Sequence, residues 1–156
     1  MKFLITGAAG FAGFTICKEI YAHFSDVSVI AVENFSRKGS ESNALSLQKL
    51  GAKVFRSDIR IQSDIDSLPR VDWVIDCAAN PSVLAGLKSQ SSSRQLMEHN
   101  LLGTINLLEY CKKYKAGLII LSTSRVYSAT ELAALPVEPS NNRFELTKFE
   151  TAGVSS

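Results

Sequence analysis

Met1-Lys2-Phe3-Leu4-Ile5-Thr6-Gly7-Ala8-Ala9-Gly10-Phe11-Ala12-Gly13 opens the chain, and its reading decides the fold. A short apolar run ends at Thr6. A Gly-x-x-Gly-x-x-Gly turn follows at once, on Gly7, Gly10 and Gly13. Apolar residues at helical spacing then continue to about His23. Strand, tight turn and helix in that order are the setting in which a glycine fingerprint signals a dinucleotide. Glycine lets backbone approach a pyrophosphate with no Cβ in the way. The helix N-terminus adds free N–H groups and partial positive charge. Gly7, Gly10, Phe11, Ala12 and Gly13 are therefore the expected cradle.

Outward from this stretch, Lys2–Thr6 is the first strand and Phe11–His23 the first helix, with Phe14, Cys17 and Ile20 or Tyr21 inward. Val27–Val32 is continuously apolar and β-branched, as suits a parallel strand covered on both faces. Asn34–Ser40 is polar loop. Glu41–Leu50 is a short helix ending at Gly51. Lys53–Phe55 is a third strand, and Ile61–Ser67 a weak helical turn stopped before Pro69. Trp73–Cys77 is the fourth strand and Asn80–Gly86 loop. Ser93–Lys115 is the longest helical pattern, with Leu96, Asn100, Ile105, Leu108 and Cys111 or Lys112 near one face. Gly117–Ser122 is the fifth strand. Beyond Tyr127 the periodicity decays, and Pro136, Pro139 and Ser140–Asn142 predict loop. Strands alternating with helices imply an α/β fold, a Rossmann-like doubly wound parallel sheet. The expected order is 3-2-1-4-5, with a ligand at the carboxyl ends of strands one and four. Residues 1–135 are expected to form one dinucleotide-binding domain, and 136–156 an irregular tail.

Composition narrows the partners. The 156 residues are 46% hydrophobic and 21% charged, enough for one domain with a real core. The net charge of +2 and the scattered basic residues give no footprint for nucleic acid or an anionic membrane. No apolar run approaches the roughly 18 residues of a span. The run at Met1–Ile5 breaks at Thr6, too soon for a signal peptide. Cys17, Cys77 and Cys111 are odd in number and far apart, which fits neither a zinc site nor a disulfide framework. No metal site is expected, and a reducing cytoplasm is the simple setting.

Glu33 closes the second strand, twenty residues beyond Gly13. A carboxylate there can accept both ribose hydroxyls of an adenosine and repels a 2′-phosphate, which favours NAD over NADP. Arg37 and Lys38 in the next loop pull the other way. Asp58-Ile59 could meet the adenine amino group and ring; alternatively Asp58 caps the following turn. Ala78-Ala79-Asn80 are small where backbone must pass close to a cofactor. His99 reads as a surface or packing residue. His23 suits the C-terminus of its helix.

Further segments fall in order along the chain. Ser57-Asp58-Ile59-Arg60 is similar to Gly-Asp-Ile-Arg, with Ser57 for Gly. Asn100-Leu101-Leu102-Gly103-Thr104 matches Asn-x-x-Gly-Thr, and Leu121-Ser122-Thr123-Ser124-Arg125-Val126-Tyr127 a strand-five segment ending in Val-Tyr. With Leu4–Gly13, these resemble the extended short-chain dehydrogenase/reductase family, which includes NAD-dependent nucleotide-sugar epimerases and dehydratases. Asn34-Phe35-Ser36-Arg37-Lys38-Gly39 and Asn80–Gly86 are similar to its CDP-paratose 2-epimerase (CDP-tyvelose epimerase) group. The resemblance implies NAD as cofactor, with Asn34, Ser36 and Arg37 joining its site. It implies Thr123 as the catalytic hydroxyl, bonded to the sugar oxygen being oxidised, and Asn100 as a structural, water-organising residue. It implies a nucleotide-sugar substrate, CDP-linked by preference, and a homo-oligomer for the full-length form.

One part of the family pattern is missing. Its acid–base pair is Tyr-x-x-x-Lys, in which the tyrosinate takes the hydroxyl proton and the lysine lowers the tyrosine pKa. No tyrosine here has lysine four residues on. Phe144-Glu145-Leu146-Thr147-Lys148 has the spacing, but Phe144 carries no ionisable oxygen. The expectation is the N-terminal portion of an epimerase, inactive alone, with an apolar patch bared beside Ser93–Lys115. Alternatives are a non-catalytic dinucleotide-binding protein and a portion of a related dehydratase or reductase. Ser124-Arg125 stand where family dehydratases carry acids, which argues for an epimerase.

Overall fold

The computed structural model describes residues 1–80, 92–122 and 127–147. It separates into two compact units, Met1–Leu121 and Ser122–Ser156. The first holds a five-stranded sheet in the order β3-β2-β1-β4-β5, the order expected. The strands are β1 (Lys2–Thr6), β2 (Ser28–Glu33), β3 (Lys53–Arg56), β4 (Trp73–Asp76) and β5 (Gly117–Ile120). All four pairings are parallel. In the centre Leu4 lies between Ile30 and Val74, and Ile5 between Ala31 and Ile75.

Period-two alternation turns the continuous apolar runs into two cores. Leu4, Ile30, Val32 and Val74 face one side. There they meet Ile65 of α3 (Gln62–Asp66), Leu68, Val71, and Leu107, Tyr110 and Cys111 of α5 (Gly103–Tyr114). Phe3, Ile5, Val29, Ala31 and Ile75 face the other side. They meet Cys17 and Ile20 of α1 (Phe11–His23) and Leu47 of α2 (Ser40–Lys49). Helices on both faces close the sheet, as a parallel sheet requires.

The long helix departs from the simple pattern. α4 (Ser93–Met97) runs into a π-helical turn at Glu98–Leu102 and then into α5. An i→i+5 turn holds one residue more than an α turn, so the register shifts. The buried face of α5 is therefore Gly103, Leu107, Tyr110 and Cys111. Ile105 and Leu108, expected on the same face as Cys111, are exposed, as are Leu101 and Leu102. On β5 and just beyond it, Ile119, Ile120 and Leu121 are exposed too.

The second unit corrects the expected loop. It contains α6 (Ala129–Ala133) and a hairpin of β6 (Val137–Ser140) and β7 (Arg143–Leu146). Asn141 takes the left-handed conformation, φ 50°, in the connecting turn. Asn tolerates that region better than most residues. Val137 pairs with Leu146 and Pro139 with Phe144, so these four share one face. Pro139 hid the strand from sequence reading, but a two-stranded ribbon is all edge and admits proline. Phe144 lies on β7, while Lys148 falls outside the described residues. Among the described residues no helix is long and apolar enough to cross a membrane.

Candidate cofactor site

The carboxyl ends of β1, β2, β3 and β4 open onto one groove. Its lining is Gly7, Gly10, Val32, Glu33, Asn34, Ser36, Arg37, Ser57, Ile59, Cys77, Ala78, Ala79 and His99. Nine of these come from the sequence reading: Gly7, Gly10, Glu33, Asn34, Ser36, Arg37, Ile59, Ala78 and Ala79. Phe11, Ala12 and Gly13 form the first turn of α1 instead. Thr123 and the segment from Pro81 to Gly86 lie outside the described residues.

The glycine turn is built on close backbone approach. Gly7 has φ +56°, and a Cβ there would stand 2.9 Å from the Cys77 carbonyl oxygen. A Cβ on Gly13 would collide with the Gly7 backbone, which is how α1 closes onto β1. No side chain caps α1 at Gly10, and no acid lies in its first turn. Its N–H groups and dipole are thus left for an anion. Asn43 of α2 donates to the Ala9 carbonyl at 2.9 Å and steadies the turn from outside.

Glu33 faces this turn from the end of β2. Its Oε2 accepts from the Ala9 N–H at 3.2 Å and its Oε1 from the Phe35 N–H at 3.3 Å. A carboxylate offers about four acceptor sites. Each Glu33 oxygen keeps one, which matches a pair of vicinal hydroxyls.

Asp58 is different. Arg60 donates to its Oδ1 from the backbone N–H at 3.0 Å and from Nε at 2.9 Å. Arg60 Nη2 and Asn34 Nδ2 donate to Oδ2 at 2.6 and 3.2 Å. The Arg60 guanidinium holds the carboxyl well below its usual range, at about 2. A carboxyl depressed on folding adds stability above its ordinary 3.8, and that stability is lost as pH falls towards about 2. Asp58→Asn should therefore flatten the acid limb of the stability curve between pH 3.8 and about 2, read by chemical denaturation. Ile59 next door lines the groove. Asn106 of α5 donates to its carbonyl at 2.8 Å, and Gly103 leaves space for its side chain.

At the β4 end the loop is clasped by the long helix. Asn100 Oδ1 accepts from the Asn80 N–H at 2.8 Å, and Asn100 Nδ2 donates to the Asn80 carbonyl at 3.3 Å. Asn100 holds the lining rather than forming it. His99 does line the groove, contrary to its reading as a surface or packing residue. Its Nδ1 donates to the Gln95 carbonyl at 2.8 Å, which leaves Nε2 for other contacts. The π turn sets these two neighbours, and the sequence carries no signal for it. Burial pushes the Cys77 thiol up to about 11, so its place in the lining is not that of a nucleophile. Among the described residues no cluster of His, Cys, Asp or Glu could hold a metal.

CDP-paratose 2-epimerase of Salmonella typhi is 33% identical over 134 residues, covering 84% of this chain and 39% of that protein. The dTDP-D-glucose 4,6-dehydratase of Dictyostelium discoideum is 32% identical, covering 82% of this chain and 30% of that one. A crystal structure of a mutant UDP-glucuronic acid 4-epimerase from Bacillus cereus, in complex with a fluorinated UDP-glucuronic acid and NAD, superposes with a TM-score of 0.72. It is 30% identical and covers 82% of this chain and 42% of that chain. The chain thus spans less than half the length of these relatives. The model of the NAD dependent epimerase/dehydratase family matches residues 3–152, and the chain belongs to that family.

Proposed function

We propose that this chain is the NAD-holding portion of a nucleotide-sugar epimerase. The observation that carries the reading is the pairing of an uncapped helix N-terminus behind Gly7–Gly13 with Glu33, whose two oxygens each keep an acceptor site. Gly7, Gly10 and the first turn of α1, with Phe11, Ala12 and Gly13, would hold the pyrophosphate. Glu33 would take the adenosine ribose, beside Asn34, Ser36 and Arg37, and Ile59 the adenine. Ala78 and Ala79, clasped through Asn100, would border the other half of the cofactor. NAD supplies a reversible hydride acceptor, which is what transient oxidation of a sugar hydroxyl requires. The resemblance to CDP-paratose 2-epimerase supports a CDP-linked sugar, and Thr123 is the residue proposed to bond its reacting oxygen. Action as a homo-oligomer in the cytoplasm belongs to the same reading.

Glu33→Ala tests the cofactor assignment. Loss of hydrogen bonds to a charged acceptor should weaken NAD about 10- to 100-fold and narrow its advantage over NADP, as read by calorimetric titration. An unchanged affinity would sink the assignment. No tyrosine of these 156 residues has lysine four positions later. Incubation with CDP-paratose should therefore give no epimer from this chain alone; measurable conversion would show that another group supplies the acid–base chemistry. The likeness to a dTDP-D-glucose dehydratase supports a second reading, in which the sugar loses water. Ser124-Arg125 after Thr123 argue against it.

A further inference from the structure

We propose that the extra residue of the π-helical turn at Glu98–Leu102 is a positioning device for the groove, dispensable for the fold and required for tight dinucleotide binding. The inference rests on the groove being the NAD site.

The two halves of the long helix are held in different ways. α5 is fixed by burial: Gly103, Leu107, Tyr110 and Cys111 face the core, and the Tyr110 hydroxyl donates to the Pro69 carbonyl at 2.5 Å. α4 has no such anchor, because none of Ser93–Met97 is buried. Between them the Gly103 N–H donates to the Glu98 carbonyl, five residues back rather than four. The direction of the residues before the turn is therefore set by how many residues the turn contains. Removing one would restore α-helical bonding. It would swing Glu98, His99 and Asn100 by about 100° around the helix axis and move them about 1.5 Å along it.

That swing matters because the residues just before and inside the turn are the ones that meet the β4 end of the groove. Asn100 bonds to both backbone groups of Asn80, at 2.8 and 3.3 Å, and His99 lines the groove. Side chains also support the helix on both sides of the turn. His99 Nδ1 donates to the Gln95 carbonyl at 2.8 Å, and the Thr104 hydroxyl donates to the Asn100 carbonyl at 3.1 Å. The core needs none of this, since Leu101 and Leu102 within the turn are exposed. A π turn is a rare interruption of an α-helix and recurs at functional sites. Local rules of structure are broken where a site requires it. Here the requirement is the placing of His99 and Asn100.

The test is deletion of Leu101 from the whole chain. Two controls accompany it. Leu101→Ala keeps the residue count, and deletion of Met97, exposed and ahead of the turn, leaves Glu98–Leu102 intact. NAD affinity is read by calorimetric titration, Tm by thermal unfolding, and the Asn80 N–H by hydrogen exchange. Deleting Leu101 should weaken NAD about tenfold or more. It should hold Tm at or above that of Leu101→Ala and free the Asn80 N–H to exchange. Both controls should stay within about twofold of wild-type affinity. Made in a His99→Ala, Asn100→Ala background, the deletion should add no further loss. Wild-type affinity after the deletion overturns the proposal, as does an equal loss on deleting Met97. So does a Tm that falls in step with affinity, which would make the turn part of the fold and nothing more. If the chain without Leu101 does not fold, deletion of Leu102 removes the extra residue from the next position; failure of both to fold also counts against the proposal. A wild-type chain that binds no NAD refutes the NAD reading instead. Exchange at Asn80 then decides whether the turn places Asn100, and unchanged protection after the deletion overturns that.

Discussion

Gly7→Val is expected to abolish dinucleotide binding and to lower Tm by about 10 °C, on a loss of about 3–5 kcal/mol. Two costs add. The backbone at Gly7 is left-handed, φ +56°, where a β-branched residue is a genuine outlier. The space is also filled. A Cβ would stand 2.9 Å from the Cys77 carbonyl oxygen and 3.1 Å from the Ala78 N and Cα. All three are backbone atoms at the switch between β1 and β4, so neither strand can yield without breaking its pairing. Gly39 is the control. It has φ +93°, but nothing lies within 4 Å of its would-be Cβ. Gly39→Ala should therefore cost only the conformational share, about 1 kcal/mol, and leave NAD binding measurable. Thermal unfolding and NAD titration of the two variants separate close approach from backbone strain. Equal losses in both would mean that the contact with Cys77 and Ala78 contributes nothing.

The sheet was legible because its strands are apolar without interruption. Ser28–Glu33 and Trp73–Asp76 each send side chains to two cores, so burial on both faces is written as a run rather than an alternation. The glycine turn was legible because its conformation admits almost nothing else. Three features were not. The π turn at Glu98–Leu102 has no compositional mark, and it alone brings His99 to the groove and turns the inner face of α5 to Leu107 and Tyr110. The hairpin Val137–Leu146 carries proline and two adjacent asparagines, which read as loop until cross-strand pairing is seen. The Asn34 partner of Asp58, the Asn43 partner of Ala9 and the Asn100 partner of Asn80 come from 24, 34 and 20 residues away. Such contacts are set by which loops the sheet order brings together. Hence Asp58 could be named from its motif, while its bond to Asn34 could not.

Thr6→Val should cost about 3 kcal/mol and weaken NAD binding, though no Thr6 atom lines the groove. Thr6 is fully buried, and its hydroxyl is fully used. It donates to Asp76 Oδ1 at 2.6 Å and accepts from the Cys77 and Ala78 N–H groups at 3.2 and 3.3 Å. Valine has the same shape and none of these bonds, so two N–H groups lose an acceptor and a buried carboxylate loses a donor. Cys77 and Ala78 are lining residues, which passes the loss to the site. The penalty should also depend on pH. Burial raises the Asp76 carboxyl above its ordinary 3.8, opposed by the Thr6 hydroxyl and the Ala78 N–H. An acid raised on folding contributes most below 3.8, and its contribution is lost as pH rises through the folded value. Without the Thr6 donor that value moves higher still, so the variant loses more on passing to neutral pH than the wild type does. Denaturant unfolding at pH 3.5 and pH 7 should show the larger gap at pH 7. Thr6→Val made in an Asp76→Asn background should cost the same at both pH values, because neither member of that comparison carries the ionisable group. A gap that is constant with pH would mean that the hydroxyl serves only the two N–H groups. Asp76 would then take its stabilisation from Ala78, whose N–H reaches the same oxygen at 3.1 Å.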